Sequence, residues 1–160
     1  MGNYRDLEPE FIERTMELVS QYHETMDQYP FEKQFNHTLT INCLLGLIVM
    51  PKEKIVTYIP NHRLTAGLRK QIGIEESEFY EGIKTLRDMI QKLRHSVAHF
   101  DIRVISEDEK FHVDWIEFMD TQNGDIVIAR IKANELLPFL KYYSGVLMEN
   151  LRKYRNNEIP

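Results

Sequence analysis

The chain has 160 residues, 42% of them hydrophobic and 28% charged, which excludes a disordered chain and fits one domain with a real core. Its formal net charge of -5 excludes coating of nucleic acid by bulk positive charge, while leaving room for a small local phosphate site. One cysteine, Cys43, excludes an internal disulfide framework and a zinc ribbon.

Apolar residues at Ile12, Met16, Val19, Tyr22 and Met26 fall three and four apart and predict a first helix. Pro9 suits its first turn, and Tyr29-Pro30 ends it, because a residue before proline avoids the helical region. A second helix is expected from about Glu32 to Val49, closed by Pro51, with Phe35, Leu39, Asn42, Leu45 and Val49 along its stripe. Between Cys43 and Met50 it is apolar on nearly all sides, so it must be enclosed by the protein or by a partner subunit. The stretch from Lys52 to Ile74 reads as a long connection broken by Pro60, Gly67 and Gly73, with a short helix around Leu64 to Gln71. A third helix is predicted from Ser77 on Phe79, Ile83, Leu86, Ile90, Leu93 and Val97. Its steps of four and three are the clearest helical period in the chain.

After His99 the period changes to two. Ile102 and Val104, then Phe111, Val113 and Trp115, then Ile126 to Ile131 predict the three strands of an antiparallel meander spanning about 101–131. The adjacent apolar pair Trp115-Ile116 signals a bulge, and Asn123-Gly124 a tight turn. A last helix is expected after Asn134, with Leu137, Leu140, Leu147, Leu151 and Tyr154 on one face, and the tail from Asn156 to Pro160 reads as frayed. No repeat or second domain is visible. The expectation is one mainly α domain over residues 1–160, an antiparallel helical bundle with a three-stranded β-meander inserted before the last helix. The acidic N-terminus has no apolar run, and Ile41 to Met50 is too short to span a bilayer. A cytoplasmic protein without membrane contact is therefore expected.

The informative segment is Leu93-Arg94-His95-Ser96-Val97-Ala98-His99, at the end of the best helix. With Leu93 and Val97 turned to the core, Arg94, His95, Ala98 and His99 must point elsewhere, and His95 and His99, four apart, share a face. A fixed cation and two titratable imidazoles so gathered suit phosphoryl chemistry on RNA. An imidazole can take the proton of a ribose 2′-hydroxyl or give one to the leaving 5′-oxygen, and a guanidinium can hold the phosphate as its charge grows. A balance of ten basic to seven acidic residues over Pro51 to Arg103, against two to eight over Met1 to Glu32, places the positive region around this segment. The alternative is a solvated helix face on which Arg94 and His99 merely complement the negative helix end. A shared metal on His95 and His99 would need a third ligand, with Asp101, His112 or His37 as candidates not fixed by spacing. Cys43, in an apolar helix, reads as a buried, inert thiol.

Arg94-His95-Ser96-Val97-Ala98-His99 resembles the signature of the HEPN superfamily: an arginine, usually followed by Asn, Asp or His, with a histidine four to six residues after the arginine. The apolar second helix, Phe35 to Pro51, resembles the corresponding helix of small bacterial HEPN proteins, some of them plasmid-encoded. The resemblance implies a helical bundle that forms a two-fold homodimer, with the motifs of both subunits lining one cleft. It implies a metal-independent endoribonuclease, without cofactor, that cleaves single-stranded RNA to a cyclic 2′,3′-phosphate in a toxin–antitoxin or defence setting. Arg94 and His99 would be catalytic, His95 would support them or bind phosphate, and Ser96 would add a phosphate hydrogen bond. An antitoxin or another operon-encoded protein is the implied partner. The alternative in another class is a catalytically silent module that binds nucleotide, RNA or protein through the same groove. Asp101 stands where members controlled by a nucleotidyltransferase partner can carry a tyrosine, so that control is not implied here.

Overall fold

Residue Thr85 sets the start of the helix that carries the motif. In the computed structural model, which describes residues 3–51, 56, 58–107 and 112–156, its hydroxyl accepts the backbone N–H of Asp88, and the Asp88 carboxylate accepts the N–H of Thr85. This reciprocal pair is a capping box, and it satisfies two backbone groups that a helix start leaves without partners. The helix of the clearest period therefore begins at Leu86, nine residues later than Ser77. Phe79, assigned to that helix by its spacing, belongs instead to a short strand.

The elements run α1 (Leu7–Thr25), α2 (Asn36–Val49), α3 (Ala66–Gln71), β1 (Glu78–Phe79), α4 (Leu86–Ala98), β2 (Ile102–Ile105), β3 (Trp115–Asp120), β4 (Ile126–Lys132) and α5 (Ala133–Arg155). Two single 3-10 turns, Met26–Gln28 and Phe31–Lys33, join α1 to α2. The architecture is mainly α, as expected. Among the described residues the sheet has four antiparallel strands in the order β1-β4-β3-β2, against the three expected from the sequence. The added strand pairs Glu78 with Arg130 and Phe79 with Ala129. Two residues carry no period of their own, which is why this strand is invisible in the sequence.

Helices α1, α2 and α5 pack on one another, and α4 packs on α2 and on strands β3 and β4. Leu44, Leu47, Ile48, Met89, Ile90, Leu93, Phe139 and Leu140 are fully buried in the shared core. Each such side chain contributes about 1.5–3 kcal/mol through removal of apolar surface from water. The buried positions of α2 are Thr40, Cys43, Leu44, Leu47 and Ile48, a stripe rotated from the expected one; Phe35 and Val49 are exposed. A helix apolar on nearly every side has no period that selects a face, so its neighbours select it.

Strand β3 is buried on both faces, at Trp115, Ile116, Phe118, Met119 and Asp120. The adjacent pair Trp115-Ile116 reflects that double burial, and the register shift lies at Phe118/Met119 instead. Helix α5 starts at Ala133 and holds Pro138 near its beginning. Gly73, at φ +78°, sits where a Cβ would lie 2.5 Å from the Pro138 Cβ, so only glycine fits this approach. Phe111, much of the 52–57 connection and the end of the C-terminal tail, 157–160, lie outside the described residues. No helix among the described residues is long and apolar enough to cross a membrane.

Candidate functional site

Helix α4 ends inside the motif. His99 occupies the cap, Phe100 adopts a left-handed backbone at φ +57°, and the Asp101 N–H reaches back to the Ser96 carbonyl at 2.8 Å. This six-to-one bond is the Schellman pattern, whose left-handed position is usually a glycine. Here that position holds a phenylalanine that is 74% exposed beside His99.

The motif side chains leave the helix in three directions. Ser96 is fully buried (0% exposed), and its hydroxyl donates to the Met119 carbonyl at 2.7 Å, pinning α4 to β3. The expected phosphate hydrogen bond from Ser96 does not fit this placement, because the hydroxyl faces the sheet and not solvent. Arg94 is half-buried and turns to the bundle. Its Nη1 donates to the carbonyls of Ile48 at 3.0 Å and Pro51 at 3.3 Å. These carbonyls close the C-terminus of α2, where a cation is favoured by both orphan acceptors and the helix dipole. Near it lies the Tyr143 phenol, whose buried oxygen has no hydrogen-bond partner among the described residues. Burial pushes this phenol well above its ordinary pKa, and the Arg94 charge works against that rise.

His95 turns the other way, toward the sheet. Its ring lies 4.6 Å, centroid to centroid, from that of His99, tilted by 57°, so the two imidazoles expected on one face do meet. His95 Nε2 is shielded from solvent without a hydrogen-bond partner among the described residues, and lies 3.9 Å from Asp120 Oδ1. His99 is exposed.

Asp120 was not among the sequence candidates. It ends β3, is only 4% exposed, and accepts the backbone N–H of Asn123 at 3.1 Å and its Nδ2 at 2.8 Å. Lys92 Nζ stands 3.8 Å away. The Asn123 side chain, then its backbone N–H, Lys92 and His95 hold the Asp120 carboxyl below its usual range, against the opposing effect of burial. The only signal in the sequence was an aspartate three residues before the asparagine of a predicted turn, a common local pattern.

Between α4 and the β3–β4 hairpin lies a cleft of about 420 Å³, lined by Tyr80, Ile83, Lys92, His95, Asp120 and Asn123 among others. It has the size and mixed apolar and polar lining of a small-ligand site. Among the described residues no group of three or more His, Cys, Asp and Glu side chains is placed to hold a metal ion. Of the ligands weighed for His95 and His99, Asp101 accepts the Thr121 hydroxyl at 2.8 Å and His112 packs edge-on to Phe31. Cys43 is buried, and burial raises its thiol pKa, which fits an inert group.

A family model described as HEPN pEK499 p136 matches residues 1–154. No curated protein and no solved structure matches the chain.

Proposed function

The chain belongs to the HEPN superfamily, through the family described as HEPN pEK499 p136, and on that premise we propose that it is a metal-independent endoribonuclease acting on single-stranded RNA. The observation that carries this reading is the imidazole pair His95–His99, in ring contact at an exposed helix end beside a cleft. Two imidazoles in contact can divide the work of 2′-hydroxyl attack. One takes the 2′-proton as the 2′-oxygen bonds to phosphorus; the other gives a proton to the departing 5′-oxygen, leaving a cyclic 2′,3′-phosphate. Such acid–base help contributes about 10²- to 10⁴-fold. His99, the exposed member, is one of the two, acid or base, and His95 is the second imidazole. Arg94 supplies positive charge to the phosphate from the α2–α4 junction. HEPN proteins typically dimerise, and a homodimer would bring two such sets into one cleft, in a toxin–antitoxin or defence setting with an antitoxin or operon partner.

One observation favours a second reading. The Arg94 Nη1 group holds the carbonyls of Ile48 and Pro51, so a direct grip on phosphate through two parallel hydrogen bonds would fall to its other N–H groups or need release of those carbonyls. A guanidinium kept there for α2 would make the chain a catalytically silent module that binds nucleotide, RNA or protein.

Incubation of purified protein with single-stranded RNA in EDTA, beside His99→Ala and Arg94→Ala, separates the readings. Chelator-resistant cleavage lost in both variants supports the ribonuclease. Binding without cleavage supports the silent module, and activity lost on chelation and restored by zinc contradicts metal independence. A strict monomer at working concentration contradicts the shared cleft.

A further inference from the structure

The sheet brings one group to the motif that neither the reaction above nor the helical part of the fold requires. We propose that Asp120 is a positioning residue for His95: its carboxylate holds the ring proton on Nε2 and so leaves Nδ1 with the lone pair. This deepens the ribonuclease reading and rests on it for its catalytic consequence.

Three observations support it. First, Asp120 is nearly solvent-free, at 4% exposure, and is fixed by two hydrogen bonds from Asn123. A carboxylate that only shaped a hairpin turn could do so in water, whereas burial of a charge is costly unless it is paired. Second, the groups facing it from α4 are both cationic or able to become so, Lys92 at 3.8 Å and His95 at 3.9 Å. Third, His95 Nε2 is itself shielded from solvent and has no other acceptor among the described residues. An imidazole N–H in that position needs an acceptor, and the Asp120 Oδ1 carboxylate oxygen faces it at 3.9 Å. That distance is longer than a hydrogen bond, and catalytic hydrogen bonds are often long in a free enzyme and tighten in the substrate complex.

The backbone supports the same arrangement. Ser96 is tied to the Met119 carbonyl, and the Met119 N–H donates to the Asp101 carbonyl at 2.9 Å. The residue before Asp120 is thus bonded on both sides to the motif helix and its exit. The orienting logic is that of any carboxylate behind a catalytic imidazole: it selects the tautomer and holds the ring. On the other side of His95 stands the His99 ring, so the order is Asp120, His95, His99.

Nitrogen-15 spectra of histidine-labelled full-length protein, taken where the imidazole is neutral and assigned with His95→Gln, test this. The wild type is expected to show His95 as the Nε2–H tautomer. Asp120→Asn keeps the shape and removes the charge. It is expected to shift the ring toward the Nδ1–H form and slow RNA cleavage about 10²-fold, the lower end of what acid–base help supplies, with unchanged circular dichroism. Asp120→Glu is expected to regain part of the rate. Asn123→Ala loosens the turn and is expected to leave the tautomer in place. A wild-type Nδ1–H tautomer overturns the proposal, and so does an Asp120→Asn variant with wild-type tautomer and rate. It is also overturned if Asn123→Ala reproduces the whole loss of rate with the tautomer intact, because Asp120 would then serve the turn alone. If the wild type cleaves no RNA, the ribonuclease reading fails separately, and the tautomer still decides whether Asp120 orients His95.

Discussion

Arg94 and His95 are consecutive, yet they lead to different halves of the molecule. Arg94 reaches across to the end of α2 and the Tyr143 region of the bundle, whereas His95 faces Asp120 and the sheet. Residues one apart on a helix diverge by about 100°, a consequence of 3.6 residues per turn. The motif is therefore a junction: its guanidinium is held by the helical half, and its His95 imidazole faces the β half, with His99 exposed beside it. Damage to one half should reach one part of the motif before the other.

The largest expected effects come from the helical and the sheet sides of the shared core. Leu47→Ala in α2 should cost about 2–5 kcal/mol and Phe118→Ala in β3 about 3–5 kcal/mol, since both side chains are essentially solvent-free. Urea unfolding measures both. In the surviving folded fraction, Leu47→Ala should disturb Arg94 signals and Phe118→Ala the histidine signals. The comparison breaks if each variant disturbs both equally.

Ser96→Ala cuts the link between the halves. It leaves the Met119 carbonyl without its buried donor, at a cost of about 1–3 kcal/mol. Histidine spectra should move, and an Arg94→Lys change made on top should add its own cost independently. Coupling between the two substitutions in a double-mutant cycle would contradict the separation.

Phe100→Gly should raise stability by about 0.5–1 kcal/mol, because the left-handed backbone at φ +57° is strained for phenylalanine and natural for glycine. A higher melting temperature checks this. An unchanged or lower one would mean that the exposed ring contributes a contact of its own.

The smallest effect concerns His37, which belongs to α2. Burial first, and the His23 charge second, lower its pKa in the folded protein. As pH falls through the ordinary imidazole value of about 6.5, the unfolded chain takes up this proton before the folded one, so stability declines from there downward. His37→Asn should remove that part of the decline and leave stability at higher pH almost unchanged, as read from urea midpoints on either side of this pH.

The helices of strong period and the motif itself could be read from the sequence, and so could the contact of His95 with His99, because spacing on one helix fixes which side chains meet. Whatever depended on partners distant in the chain could not. The face of α2 was undetermined because nearly all of its last turns are apolar. Strand β1 is two residues long and exists through its pairing with Arg130 and Ala129. Ser96 looked available because it stands between Arg94 and His99, but its angle on α4 turns it to Met119. Asp120 reaches His95 across a separation of 25 positions, which no local pattern encodes.

The central claim is that these imidazoles drive attack by a ribose 2′-hydroxyl without metal. An RNA oligonucleotide that the protein cuts in EDTA, compared with the same strand carrying one 2′-deoxyribose immediately 5′ of the scissile phosphate, tests it most directly. The account predicts cutting of the all-ribose strand to a cyclic 2′,3′-phosphate end and no cutting at the deoxy position; equal cutting of both strands, or a protein that cuts no RNA in EDTA, would contradict it.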